Sequence, residues 1–236
     1  MDASSNNVPR HVGIILDGNR RFAQKLMLKP WQGHEWGAKK VEKVLEWCKE
    51  LNIKELTLYA FSIENFNRPK EEFDYLMKIF NKEFTTLIED PRLHKEQIKI
   101  RFIGRIHMFP EEIRELMLKL MDITKDYDGH ILNFAMAYGG RSEVVDATKK
   151  IAELVQTGRM TVEEINEETF SKQLYMSDDV DLVIRTGGEK RTSNFLPYQG
   201  AYAEWVYLEK MWAEFEKDDF MSCIEEFKKR KRRFGR

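Results

Sequence analysis

Six short apolar runs constrain the fold more than any other feature of this chain. They are HVGIIL (11–16), ELTLYAF (55–61), IKIRFIG (98–104), HILNFAMAY (130–138), DLVIRT (181–186) and EWVYLE (204–209). Most lack strict polar alternation, as strands covered on both faces do, and they are rich in β-branched and aromatic residues. Between them the period changes. WGAKKVEKVLEWCKELN places Val41, Val44, Leu45 and Cys48 on one helical stripe. EEFDYLMKIFNKEFTTLIED repeats Phe73, Leu76, Met77, Phe80, Phe84 and Leu87 at steps of three and four. PEEIRELMLKLMDITKDY puts Pro110 at a first helical position, and SEVVDATKKIAELVQTG closes on Gly158 as a C-cap. This alternation predicts an α/β fold. Residues 1–10 read as a polar lead-in and 11–236 as a single domain. Its mostly parallel central sheet, of about six strands, would be covered by helices on both faces.

Composition narrows the function classes. The 236 residues are 42% hydrophobic and 12% aromatic, the balance of a folded chain. Basic and acidic residues nearly cancel, 39 against 40, so no global field favours nucleic acid. Any anion preference must come from local clusters. Cys48 and Cys223 lie far apart in helical contexts, which is neither a disulfide framework nor a metal-ligand spacing. MDASSNNVPR is polar rather than a signal segment, and no run approaches the ~18 apolar residues of a spanning helix. A soluble cytoplasmic protein is the expectation.

Ligands of open α/β sheets bind beyond the carboxyl ends of the strands, and three unusual polar clusters fall there. DGNRRF follows the first run: Asp17 is a hard oxygen ligand suited to magnesium, and Arg20 and Arg21 are planar forks for phosphate oxygens. Gly18 and Asn19 tolerate the positive φ of a tight turn, where their N–H groups could face a phosphate. Alone, the hexapeptide equally suits an ordinary solvated turn. SIENFNRP (62–69) follows the second run; Ser62 or Asn67 could serve only as caps, which leaves Arg68 so close to Glu64 unexplained. RTGGEKRTSNF (185–195) follows the fifth run, with two glycines between Arg185 and Arg191 and Ser193 beyond. It is neither a P-loop nor a dinucleotide fingerprint. Two arginine-bearing loops on one edge suit two phosphate-bearing substrates or one long one, and Glu204 offers a second carboxylate for a cation shared with Asp17.

These segments together resemble the cis-prenyltransferase family, the undecaprenyl diphosphate synthase group. HVGIILDGNRRFA, GH at 33–34, LYAFSIENFNRP, NFAMAYGGR, DLVIRTGGE and RTSNFLPYQGAYAEWVY carry the resemblance, which runs from Pro9 to the C-terminus. It implies a Mg2+-dependent transferase that joins an allylic prenyl diphosphate to isopentenyl diphosphate, releases pyrophosphate and creates a cis double bond. By the same resemblance Asp17 binds the metal, and Gly18, Asn19, Arg20 and Arg21 hold the allylic diphosphate, with Phe22 beside them and His34 in support. Arg185, Arg191 and Ser193 would hold isopentenyl diphosphate. Glu204 would help to place the metal, within the chain or across a dimer interface. Asn65 matches the residue assigned to proton removal, acting with Ser62 and the bound phosphate, while Glu64, Phe66 and Arg68 shape the loop. An amide is no strong base, so Asn65 fits better as the guide of a proton path.

Four positions depart from the family pattern: Arg20 for glycine, Phe22 for tryptophan, Pro30 for a phosphate-binding arginine that Lys29 or Arg20 could replace, and Ala137 for asparagine. They leave open the allylic substrate and the site of attack, including branched, non-head-to-tail coupling. A non-catalytic subunit is the competing class, but such relatives lose the aspartate and arginines kept here. A phosphate-ester hydrolase lacks a nucleophile or carboxylate pair near Asp17. The stripe from Phe73 to Phe84 reads as core, with one face able to line an apolar groove for the growing tail. The tail EEFKKRKRRFGR is a basic helix end suited to peripheral contact with anionic lipid, and its Arg233 and Gly235 resemble the arm of homodimeric relatives.

Overall fold

A computed structural model describes residues 8–230. All six apolar runs are strands: β1 (His11–Ile15), β2 (Glu55–Ser62), β3 (Ile98–Ile103), β4 (His130–Tyr138), β5 (Leu182–Arg185) and β6 (Glu204–Tyr207). They form one sheet in the order β3-β4-β2-β1-β5-β6, with every neighbouring pair parallel. The helices are α1 (Asn19–Lys25), α2 (Gly33–Glu50), α3 (Lys70–Glu89), α4 (Pro91–Lys95), α5 (Glu111–Ile123), α6 (Gly140–Gln156), α7 (Glu167–Ser171) and α8 (Lys217–Lys229). None is long and apolar enough to cross a membrane among the described residues.

Both faces of the sheet are largely buried, which is why most strands are apolar on both sides. The β3 strand alternates, with Lys99 and Arg101 half-buried, and His11, Glu55, Thr57 and Asn133 are buried polar residues of the strands. On one face Val12, Ile14, Leu56, Leu58, Leu132 and Ile184 pack with Val44 and Trp47 of α2, Leu76 and Phe84 of α3, Met117 and Leu120 of α5 and Ile224 of α8. On the other, Ile15, Ala135, Tyr138 and Val183 pack with Met176, Phe195 and Leu196. The α6 helix joins this second layer through the fully buried Tyr138, whose hydroxyl donates to Glu143 at 2.5 Å.

Helix starts differ from expectation. Pro110, expected as a first helical residue, instead caps α5 from outside with ψ of 146°, as Pro69 does for α3 with ψ of 141°. DGNRRF is no two-residue turn: Gly18 alone has positive φ (103°), and Asn19 already opens α1. A Cβ at Gly18 would lie 2.8 Å from the Met211 side chain, so glycine is required there twice over. At the other end of the chain Gly158 does follow α6 in the left-handed region (φ 67°), as a helix stop should.

Candidate active site

The chain leaves β1 toward β2 on one side and returns from β4 to β5 on the other, so the carboxyl ends of β1 and β5 flank the switch point where α/β sheets bind ligands. Asp17 and Arg185 meet there. One guanidinium nitrogen of Arg185 donates to Asp17 Oδ2 at 2.8 Å, and Arg21, one helical turn on, approaches Oδ1 at 3.2 Å. The Asp17 backbone is fixed too: its N–H donates to the Thr186 hydroxyl (3.1 Å), and its carbonyl accepts from the Trp212 N–H (2.9 Å).

The Arg185 side chain is only 4% exposed and also organises its own loop. It donates to the Arg191 carbonyl at 2.5 Å and to Ser193 Oγ at 2.6 Å, while its Nε has no partner. The glycines of this loop bind no anion through their amides. Gly187 N–H and Gly188 N–H donate to the carbonyls of Lys210 and Leu208, both at 2.8 Å. Glycine is needed at 187 because φ is 85° and a Cβ would sit 3.0 Å from the Asp17 carbonyl carbon and 2.7 Å from Arg21. The Arg191 side chain remains exposed beside Glu189.

The second loop folds as a short 3-10 turn over 63–67, where the Ser62 N–H donates to Asn65 Oδ1 at 3.0 Å. That bond occupies the amide's acceptor and leaves its NH2 as a donor. Beyond it, Glu72 gathers two arginines and a histidine: its carboxylate, 1% exposed, lies 3.1 Å from Arg68, 3.6 Å from His34 and 3.8 Å from Arg20. His34 and the flanking arginines hold the Glu72 carboxyl below the usual range, and burial lowers the His34 imidazole so that it is neutral near pH 7. Lys29 instead stacks over Trp31 at 5.2 Å, so Arg20 is the cation that joins this cluster.

A cavity of about 760 Å³ opens among these groups, with Asp17, Asn19, His34, Ser62, Asn65, Arg68 and Ser193 in its wall. Asn19 is buried, and its Oδ1 points to no protein partner. Deeper, the wall becomes apolar, formed by Val41 and Leu45 of α2, Leu76, Ile79, Phe80, Phe84 and Leu87 of α3, and Ile100, Leu132 and Phe134 of the sheet. It reaches Ile98, the first residue of β3, and so runs the height of the sheet. A polar mouth on a long apolar shaft suits an amphiphile with an anionic head. Among the described residues no group of three or more His, Cys, Asp or Glu could hold a metal by itself. Both Asp17 oxygens face guanidiniums, so a cation held there would displace one of these contacts and take its other ligands from substrate phosphates and water.

The family profile described as "Putative undecaprenyl diphosphate synthase" matches residues 15–235. The chain belongs to this family. It is 51% identical over 231 residues to a tritrans,polycis-undecaprenyl-diphosphate synthase (geranylgeranyl-diphosphate specific) of Pyrococcus furiosus, covering 97% of this chain and 88% of the relative. The Methanopyrus kandleri protein of the same name is 49% identical over 97% of this chain and 85% of its own length. Among solved structures, lavandulyl diphosphate synthase from Lavandula x intermedia, in complex with dimethylallyl diphosphate, superposes with a TM-score of 0.91 at 30% identity, covering 98% of this chain and all (100%) of that one. A probable undecaprenyl diphosphate synthase from Campylobacter jejuni gives 0.81 at 33%, again over 98% and 100%.

Not every residue implied by the family resemblance stands at the mouth. Glu204 opens β6, level with Leu182 and Val12, whereas Asp17 lies beyond Ile15. The two carboxylates are at opposite edges of the sheet, roughly 16 Å apart along the strands. Glu204 accepts from Arg230 at 2.7 Å, so within one chain it shares no cation with Asp17. Phe66 faces inward: its ring packs against Phe61, Phe73 and Phe109 at 5.0–5.8 Å and anchors the loop rather than lining the cavity. Phe22 packs edge-on against Trp36, and Glu64 is exposed at the rim. Arg233 and Gly235 lie outside the described residues. Sequence reasoning missed Glu72 and Thr186. Glu72 stands four residues after Arg68, a helical pairing signal concealed by the acids that open many helices.

Proposed function

We propose that the chain is a magnesium-dependent transferase that extends an allylic prenyl diphosphate with isopentenyl diphosphate, forming a cis-polyprenyl diphosphate and releasing pyrophosphate. The cavity carries this reading, because its anion-seeking mouth and sheet-length apolar shaft match a diphosphate with a long hydrocarbon tail. The names of the archaeal relatives make geranylgeranyl diphosphate the first allylic substrate to test. In the reaction the allylic carbon–oxygen bond breaks and its electron pair leaves with pyrophosphate. The double bond of isopentenyl diphosphate attacks that carbon, and loss of a proton forms the new double bond.

The residues divide the work. Arg20, Arg21, Asn19 and His34 would hold the allylic diphosphate, and fixed cations there stabilise the charge that builds on the leaving group. Arg185, Arg191 and Ser193 would hold isopentenyl diphosphate beside it, supplying proximity. Asn65 would donate its amide to a phosphate oxygen and so fix the path by which the proton leaves. Asp17 would hold magnesium, which would neutralise developing negative charge on pyrophosphate when bound. A homodimer in which the partner's carboxylate or carboxyl-terminal arm completes the site belongs to the same proposal.

The likeness to lavandulyl diphosphate synthase supports a second reading, a branched coupling at the same site. An assay with labelled isopentenyl diphosphate, a panel of allylic diphosphates and magnesium or a chelator separates the two. Long products with cis double bonds are expected with magnesium only. A short branched product would select the second reading, and no incorporation with any partner would overturn both.

A further inference from the structure

The loop that carries Ser193 is bent into an unfavourable backbone. Ser193, Asn194 and Leu196 have φ of 49°, 63° and 46°, in the left-handed region where, of the three, only asparagine is at ease. The bend lets Ser193 Oγ meet the Arg185 guanidinium at 2.6 Å on the cavity wall, while Phe195, two residues on, is fully buried. Strain of this kind persists only where the surroundings over-determine it.

Two sets of contacts do so. From the α6 side, Asn194 occupies the first amides of the helix. Its carbonyl accepts from the Gly140 N–H at 2.9 Å, and its Oδ1 accepts from the Arg141 N–H at 2.8 Å. From the sheet side, Tyr59 of β2 lies on the cavity wall and stacks on Phe195, ring centres 4.8 Å apart and planes 16° apart. Phe195 also rests on β1 at Gly13, where a Cβ would come within 3.1 Å of its ring. The Tyr59 hydroxyl is shared between two carbonyls, that of Tyr138 at 3.3 Å and that of Ser193 at 3.4 Å, and so ties the end of β4 to the loop. The β2–β4 register shifts immediately after Tyr59, an irregularity of the kind that re-aims side chains at functional edges. Burial raises the phenol, so near neutral pH it keeps the proton it shares.

We propose that Tyr59 and Asn194 are positioning residues for the second diphosphate substrate, acting through Ser193. This rests on the isopentenyl diphosphate reading above. Neither side chain has to touch the diphosphate. They hold Ser193 in the bent state, where its hydroxyl accepts from Arg185 and keeps its own proton to donate to a phosphate oxygen. A relaxed loop swings that hydroxyl away from Arg185, and the anion then meets the guanidinium without it.

The test compares Tyr59→Phe, which keeps the ring and loses the shared proton, with Asn194→Gly, which keeps the positive φ and loses the Oδ1 contact. Affinities for isopentenyl diphosphate and for the allylic diphosphate are measured by calorimetry with magnesium present, beside steady-state KM and kcat. Isopentenyl diphosphate binding is expected to weaken about three- to tenfold in each variant, the scale of one hydrogen bond, with allylic affinity unchanged. In a Ser193→Ala background the same substitutions should have no further effect, because the group they position is gone. Equal weakening of both substrates, unchanged isopentenyl diphosphate affinity in a folded variant, or additive losses in the Ser193→Ala background overturns the proposal. If Tyr59→Phe does not fold, Asn194→Gly decides it alone. A wild-type protein that binds isopentenyl diphosphate without turning it over refutes the reaction, and the affinity comparison still decides the positioning role. One that binds none overturns both.

Discussion

Asp17 has two duties at the switch point: it faces the mouth and it neutralises the buried guanidinium of Arg185. Asp17→Asn should therefore cost more than activity. Turnover is expected to fall by about two to three orders of magnitude, the scale of a lost electrostatic contact to a leaving group. Stability should fall by about 1–2 kcal/mol, less than for a fully buried broken pair because water reaches Asp17. Labelled incorporation and a denaturant melt measure both, and retained turnover would remove the metal role. Glu72 acts one step further back. Glu72→Gln leaves Arg68, His34 and Arg20 without the anion that gathers them, so KM for the allylic diphosphate should rise well above its wild-type value while KM for isopentenyl diphosphate stays close to it. Equal changes in both would place Glu72 outside allylic binding. Ala137 shows a cost of another kind. Its φ is 48°, a region entered at about 1–2 kcal/mol by residues other than glycine, asparagine or aspartate, which explains why asparagine suits the position in the family pattern.

The α3 helix unites the core and the shaft. Phe84 stacks on Phe80 at 5.7 Å and meets Phe102 and Phe134 of the sheet at 4.9 and 6.0 Å, while Phe73 turns toward Phe61 and Phe66. Leu76, Ile79 and Phe80 lie along the cavity. A stripe wider than a single packing seam thus serves two surfaces. Ile79→Trp should fill the shaft part-way, shortening products while the first addition proceeds. Because the added ring enters open space, its stability cost should stay below the ~1–3 kcal/mol of overpacking a closed core. Chain-length analysis and a melt check the pair of outcomes; products of unchanged length would show that the tail follows another route. On the opposite layer, Arg105 clamps α6 through a paired contact with Asp146, both bonds 2.9 Å, and this holds the Asp146 carboxyl at about 2.

Across the whole molecule, two buried histidines couple the fold to pH. His11, hydrogen-bonded to Thr57 Oγ1 at 2.7 Å and to the Asp179 carbonyl at 2.9 Å, is lowered from 6.5 by burial, as is His34 beside Glu72, Arg68 and Arg20. A lowered histidine stays neutral in the folded chain while the unfolded chain takes up its proton near 6.5. Stability is therefore level above that value and falls as pH drops from it toward the lowered folded values. Glu72 acts in the same direction at lower pH, since its depressed carboxyl contributes fully above the unfolded value of 4.5 and loses that contribution as pH falls through the folded one. The denaturation midpoint should decline between about pH 7 and pH 5, and His34→Gln should flatten the slope. A midpoint constant over that interval would contradict the burial of both imidazoles.

The six strands, the main helices and the edge on which the polar loops collect were legible in the sequence because each depends on local periodicity and on the chemistry of short segments. A two-faced apolar run is a covered strand wherever it pairs, and an arginine-bearing loop after such a run emerges at the carboxyl edge. Sheet order was not legible, since strand pairing is decided between distant segments. Only the order β2-β1-β5 sets Asp17 against Arg185, and only the parallel register of β6 carries Glu204 to the far edge. The same holds for Phe66, which turns into the aromatic layer, and for Glu72, an ordinary first-turn acid until the packing of α2 on α3 buries it among two arginines and a histidine. Local pattern determined which elements form and which groups they carry; tertiary packing alone decided which of those groups meet, because burial and charge pairing act across distances in sequence that no local period spans.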